Sequence, residues 1–287
     1  MDYDQRKEKY REKLQDLILM DDEFMTRVFD GNIDGATLLV QIILDKPDLK
    51  VTDVKTQSYL KNLQGHSARL DILAKDDDGR FYNIEVQRKS GGAGVKRASL
   101  NAALLLSNTC DPGCEPIDYP EIYVIFITET DVLKKGRPLY HIEQMIAEDC
   151  EEIDDGEHIV YVNGACKDTG TALGRLMHDF FCNDPRDMYY QVLADRVRYF
   201  KEDEEGVDAM CSAFQEVRQE GRQEGRKEGR KEAMRELVTT VLSKGKSPEE
   251  TADLLDIALD DVRKIFEERK AEQPVSFKVL GPDASPA

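Results

Sequence analysis

The sequence predicts an α/β fold in which helices cover a sheet centred on one antiparallel hairpin. Three observations carry this. Two runs that alternate apolar with polar residues, ARLDILAKD (68–76) and RFYNIEVQRK (80–89), flank the turn DDDG (76–79), as a hairpin requires. EIYVIFITE (121–129) is nearly all apolar, as a strand covered on both faces must be. Stretches with apolar residues at helical spacing lie before and after these strands.

In order along the chain, residues 5–20 have helical periodicity on a charged background, and Asp21-Asp22-Glu23 forms an acidic turn. Asp34 is placed to cap a helix running through LLVQIIL to about Asp45, where Pro47 follows. LKVTDVKTQSYL (49–60) reads as a strand that leads into the hairpin. In its turn, Gly79 supplies positive φ, which the aspartates also tolerate. On the return strand Phe81, Asn83, Glu85 and Gln87 share one face, and Tyr82, Ile84 and Val86 the other. Glycines 91, 92 and 94 end it, and VKRASLNAALLLSN (95–108) is helical. After the apolar strand come a strand at HIVYVN (158–163) and helices near 171–182 and 188–202.

The 287 residues carry 58 acidic and 40 basic side chains, a net charge of −18, with most of the surplus in residues 1–205. That argues against simple coating of duplex DNA, where neutralisation of phosphates supplies the affinity. It does not exclude nucleic acid, because a metal ion or a local basic patch reverses the field where it matters. MDYDQRKEKYREKLQDLILM has no apolar leader core, and no run of about 18 apolar residues occurs. The six cysteines are scattered; Cys110 and Cys114 have no matching second pair, so free thiols in a reducing cytoplasm are expected, with zinc as the other reading. The four histidines show no metal-ligand spacing. A soluble cytoplasmic protein with no membrane association is the expectation.

The hairpin holds the sharpest chemical signal. Closed at DDDG, it sets Asp71 across from about residue 84, beside Glu85, with Gln87 two residues on and on the same face. One carboxylate from each strand forms a natural cage for Mg²⁺, with Mn²⁺ as a substitute, because such ions take oxygen ligands and keep several waters. The group two beyond the glutamate can hold an attacking water or a phosphate, the arrangement of metal-assisted phosphodiester hydrolysis. An exposed strand face on which acids happen to align fits the same spacing. Arg69, Arg88, Lys89, Lys96 and Arg97 form a basic rim, and GGAG (91–94) opens a helix whose free N–H groups suit phosphate. A solvated charged face remains open beside that reading.

Several segments resemble the PD-(D/E)XK nuclease-like transposases, also called recombination-promoting nucleases. They are DDEFMTRVF, RLDILAKDDDGRFYNIEVQR, YPEIYVIFITE, YHIEQ, HIVYVNG and the EGR-type tail, and the likeness covers roughly residues 20–205. It implies a restriction-endonuclease-like core with Asp71 and Glu85 as metal ligands and Asp71, Glu85 and Gln87 as catalytic residues. Gln87 stands where the wider superfamily has lysine and where this family usually has glutamine; it orients water but adds no charge. Asp21 matches an acidic position three before Phe24 and is an auxiliary candidate, although a cap or a solvated turn serves equally for Asp21, Asp22 and Glu23. His66 stands where arginine is expected, which weakens a phosphate contact there.

Residues 216–236 repeat every four, EVRQ-EGRQ-EGRK-EGRK-EAMR. On a helix the Glu and Arg positions, about 200° apart, form opposed stripes, and each of three glycines costs about 1 kcal/mol. A self-association arm and a flexible charged linker are both open. Residues 237–270 read as short helices, with a capping box at Ser247-Pro248-Glu249-Glu250; a packing or dimerisation hairpin fits better than a groove reader, since DDVRKIFEERK is about neutral. The expected organisation is therefore a nuclease-like domain (1–205), a charged helix or linker (206–236), a small helical module (237–270) and a disordered tail (271–287). The expected function is Mg²⁺-dependent DNA endonuclease activity associated with recombination or mobile elements. The alternative is a non-catalytic or weakly catalytic DNA- or protein-binding module on the same scaffold.

Overall fold

Six strands form one mixed sheet in the order β1-β2-β3-β4-β8-β5. They are β1 (Val51–Leu60), β2 (Ala68–Asp76), β3 (Phe81–Gln87), β4 (Ile122–Thr128), β8 (Glu157–Asn163) and β5 (Leu139–Ile142); β6 (Met145–Ile146) and β7 (Glu151–Glu152) make a separate ribbon. The computed structural model describes residues 3–60, 67–110 and 113–272. His66 and most of the expected tail (271–287) fall outside them. The chain divides into two compact units, Met1–Phe214 and Gln215–Ala287.

In the first unit β1, β2 and β3 pair antiparallel, β3, β4 and β8 pair parallel, and β5 runs antiparallel on β8. The parallel β3–β4 pair needs a crossover, which α4 (Val95–Thr109) provides. β4 is buried at every residue, as its apolar sequence requires. One sheet face, with Tyr82, Ile84 and Val86, packs against α1 (Tyr3–Asp16), α2 (Asp22–Phe29), α3 (Ile33–Leu44), α5 (Ala172–Phe181), α6 (Gln191–Glu202) and the start of α7 (Glu204–Ser243). The other face packs Leu70, Val124, Phe126 and Tyr161 against Ala98, Ala102 and Leu105 of α4.

The elements depart from expectation at several points. Helix α3 is capped by Asn32, whose side chain accepts from Gly35 N; Asp34 sits inside the first turn. The acidic run 21–23 opens α2, with Asp21 at its N-cap. The hairpin pairs Lys75 with Phe81 and Ile72 with Ile84, one residue beyond the expected register. The cause is a three-residue loop, in which Asp76 N–H bonds to Arg80 O and Gly79 takes φ +87°. Such loops place a left-handed residue last, where glycine is unstrained. The edge strand β5 and the β6–β7 ribbon were not expected; both are too short for their alternation to stand out.

Lys201 ties three segments together beneath α2. It is buried, and its Nζ donates to the carbonyls of Gln15 (3.0 Å), Leu17 (2.7 Å) and Asn183 (2.5 Å). Burial pushes its proton affinity down to about 8. This fixes the α1–α2 junction, just before Asp21.

In the second unit α7 continues through the four-residue repeat to Ser243, and α8 (Pro248–Leu255) and α9 (Leu259–Glu272) follow. Residues 237–243 thus extend α7 and do not start a new helix. Val238, Leu242, Ala252 and Val262 form a small core, flanked by Met234, Ile265 and Phe266. The capping box at Ser247 and Glu250 is formed in both directions.

Candidate active site

β2 begins where β3 ends, so the antiparallel hairpin brings Asp71 and Glu85 to the same end of the sheet. The backbone N–H of Val86 donates to Asp71 Oδ2 at 3.0 Å, locking that carboxylate across the strand pair. Glu85 is fully buried. Its Oε2 receives Arg97 Nη2 from α4 at 3.2 Å, while its Oε1 has no hydrogen-bond partner.

Both carboxyls hold their protons well above the ordinary range. Burial raises Asp71 to about 6, with the charge of Asp22 adding to it and the Val86 N–H, Arg97 and Arg69 opposing. Burial and then the charge of Asp71 raise Glu85 to about 7, against Arg97. Two acids that resist ionising together, one with a buried oxygen left unpartnered, leave a deficit of positive charge that Arg97 and Arg69 do not fill. The donor set, carboxylate oxygens from two adjacent strands, is that preferred by Mg²⁺ or Mn²⁺. The residues present therefore fit a divalent cation.

Gln87, last residue of β3, turns toward the short turn Ser90–Gly92. A Cβ at Gly92 would stand 2.2 Å from Gln87 Oε1, so any other residue there would move the Gln87 amide from its present place. The glycine run thus serves Gln87 as well as the start of α4, where Gly94 is the N-cap. A cavity of about 430 Å³ opens here, lined by Asp21, Asp22, Asp71, Gln87, Arg88 and Lys89 together with Met20 and Val86.

The basic rim divides. Arg88 bridges Asp21 (2.6 Å) and Glu129 (3.3 Å), and Arg97 is held by Glu85. Arg69, Lys89 and Lys96 are exposed. Asp21 Oδ2 also accepts from Ile18 N at 3.0 Å, so Asp21 fastens the loop before α2 and anchors Arg88 at the cavity wall. Asp22 is met by Gln57, which also donates to Thr26 at 2.7 Å and takes φ +53° within β1.

Four residues were not singled out from sequence: Glu129, Gln57, Asn83 and Asn101. Asn83 and Asn101 are buried beside the Glu85 face, with unpartnered side-chain atoms. Polar residues on the otherwise apolar faces of β3 and α4 were the available signal. Asn101 lies four residues beyond Arg97, so both stand on one side of α4.

Among the described residues, one group of three acids has oxygens within 4.8 Å of one another, Asp76, Asp77 and Asp78 in the hairpin turn. A cation could be held there too. Asp76 is already engaged by Arg80 N (2.8 Å) and Tyr82 Oη (2.7 Å), and Asp78 by Arg80 (2.5 Å), so the turn is partly neutralised from within. None of the six cysteines is in a disulfide, and no described helix is long and apolar enough to cross a membrane.

Comparison with known proteins gave no match among curated proteins and none among solved structures. Residues 36–163 match the family model described as PD-(D/E)XK nuclease family transposase. That stretch runs from α3 to the end of β8 and contains Asp71, Glu85 and Gln87. Over residues 36–163 the chain is thus similar to the PD-(D/E)XK nuclease family transposases.

Proposed function

We propose that this protein is a metal-dependent DNA endonuclease, with Asp71 and Glu85 as the ligands of Mg²⁺ or Mn²⁺ and Gln87 as the residue that positions water or phosphate. The observation that carries the reading is the adjacent Asp71–Glu85 pair, in which Asp71 lines an open cavity and the buried Glu85 behind it keeps an unpartnered Oε1. A divalent ion bound there supplies Lewis acidity and a water of lowered pKa.

The chain's own residues do the rest. Asp71, pinned by Val86 N–H, faces the cavity, and Glu85 is held beside it by Arg97. Gln87 can donate to a phosphate oxygen or accept from a water proton, and its place is secured by Gly92. In the reaction a water oxygen bonds to phosphorus, one P–O ester bond breaks, and the departing oxygen gains a proton. Arg69, Lys89 and Lys96 are free to approach the flanking phosphates, and Arg88 joins them when it leaves Asp21. Recombination or movement of mobile elements is the setting we propose, in a soluble protein of the cytoplasm, with self-association through 216–236.

Incubation of the purified protein with supercoiled plasmid tests the reading. Nicking is expected with Mg²⁺ or Mn²⁺, and its loss in Asp71→Ala and in Glu85→Ala. Absence of cleavage on duplex and single-stranded DNA with either metal would instead favour a binding module on the nuclease scaffold.

A further inference from the structure

The second unit contains a groove of about 620 Å³ between the later part of α7 and α9. Lys227, Arg230, Lys231 and Arg235 line it from α7, and Lys264 from α9. The α7 positions fall at i, i+3, i+4 and i+8, so they form one stripe on one helix face. Only two acids share the groove, Asp261 and Glu268, and Glu268 is 3.8 Å from Arg235. Among the described residues, Lys227, Arg230, Lys231 and Lys264 form no ion pair. The floor is apolar, with Met234 and Ile265.

Such a surplus of positive charge is unexpected in a chain of net charge −18. It also contrasts with the first unit, where Arg88 and Arg97 at the carboxylate site are both held by acids. We propose that this groove is a second nucleic-acid contact, which seats the phosphodiester backbone on the Lys227–Arg235 stripe and Lys264. The stripe extends about 12 Å along the helix. A DNA strand presents one phosphate per 3.4 Å of axis, so about three phosphates lie within its reach. The apolar floor suits the sugar edges of the same strand. Recognition is of charge and not of base sequence, because lysine and arginine on phosphate carry no sequence information. The inference rests on the nucleic-acid half of the function proposed above and not on the cleavage chemistry.

The test is equilibrium binding of the full-length protein to a fluorescein-labelled duplex and to the matching single strand, in EDTA, between about 50 and 200 mM salt. The variants are Lys227→Glu/Lys231→Glu/Lys264→Glu and its glutamine counterpart, with circular dichroism to confirm that the helices persist. Affinity is expected to fall at least tenfold in the glutamate variant at the lower salt. The slope of log K against log salt should shrink by about two to three in both variants. Unchanged affinity and slope would overturn the proposal. So would unchanged DNA binding accompanied by a change in molecular mass, which would give the groove to a second copy of the chain. The same proteins in the plasmid assay separate the two readings. Wild-type nicking with groove-independent binding refutes the groove alone, whereas groove-dependent binding without nicking refutes the nuclease alone.

Discussion

Arg97 of α4 reaches Glu85 of β3 at 3.2 Å and, among the described residues, is the counter-charge bonded to a buried glutamate whose neighbour is Asp71. The helix that crosses from β3 to β4 thus does two things. It covers one sheet face with Ala98, Ala102 and Leu105, and it delivers a guanidinium to the carboxylate pair. Burial, with the charge of Asp22 acting on Asp71 and that of Asp71 acting on Glu85, outweighs the arginines and leaves both with raised proton affinity.

The first prediction concerns stability without metal. Asp71 and Glu85 hold protons to about 6 and about 7 when folded, against 3.8 and 4.5 ordinarily. The folded state therefore binds more protons than the unfolded state between these limits. Stability from this pair is fully present below about pH 4 and is lost as pH rises through 6 and 7. Glu85→Gln should abolish about half of that loss, Asp71 carrying the rest, and stabilise the metal-free protein near pH 8 by about 3 kcal/mol. Thermal unfolding in EDTA across this range checks it; parallel pH profiles for wild type and variant would contradict it.

Gly92→Ala should reduce cleavage by up to about a hundredfold, because displacing a positioning group by about an ångström has that effect. The substitution drives Gln87 from its place while leaving Asp71 and Glu85 untouched. Metal affinity should stay as in wild type. A variant that cleaves normally would remove Gln87 from the account.

Asp21→Asn should strengthen DNA binding at low salt. Arg88 is half exposed and shared between Asp21 and Glu129, so losing one acid frees positive charge at the cavity wall. Exposed ion pairs contribute little stability, and the melting temperature should barely move. Weaker binding, or a large fall in melting temperature, would show that Asp21 acts in another way.

The sequence revealed β3 well because its alternation is strict: Glu85 and Gln87 share a face, and Tyr82, Ile84 and Val86 fill the opposite core. It also resolved β4, whose uniform apolarity has one explanation. The hairpin register was off by one because a turn of three residues and a turn of two begin with the same DDDG string. Which arginine meets which acid was not legible. Arg97 finds Glu85, and Arg88 finds Asp21, through packing of α4 and of the α1–α2 junction, and sequence spacing says nothing of either. Lys201 was invisible for the same reason, since its three carbonyl partners come from distant segments.

The repeat helix offers a further test. Gly221, Gly225 and Gly229 lie within α7, and a Cβ at any of them meets open space. Replacing all three by alanine should raise helix stability by about 1 kcal/mol each in the isolated chain. If the glycines admit a second copy at close range, the same change should weaken self-association. Light scattering beside circular dichroism reads both effects; higher helicity with an unchanged mass would assign the repeat to a linker role.

The most direct measurement is a calorimetric titration of Mn²⁺ into the wild type, Asp71→Ala, Glu85→Ala and Asp77→Ala/Asp78→Ala. The account predicts a binding event lost in each of the first two variants and kept in the third, with affinity rising as pH climbs through about 6 to 7 and the protons released on binding falling away over the same range. Binding that survives loss of Asp71 or Glu85, or that disappears with the turn aspartates, would contradict it.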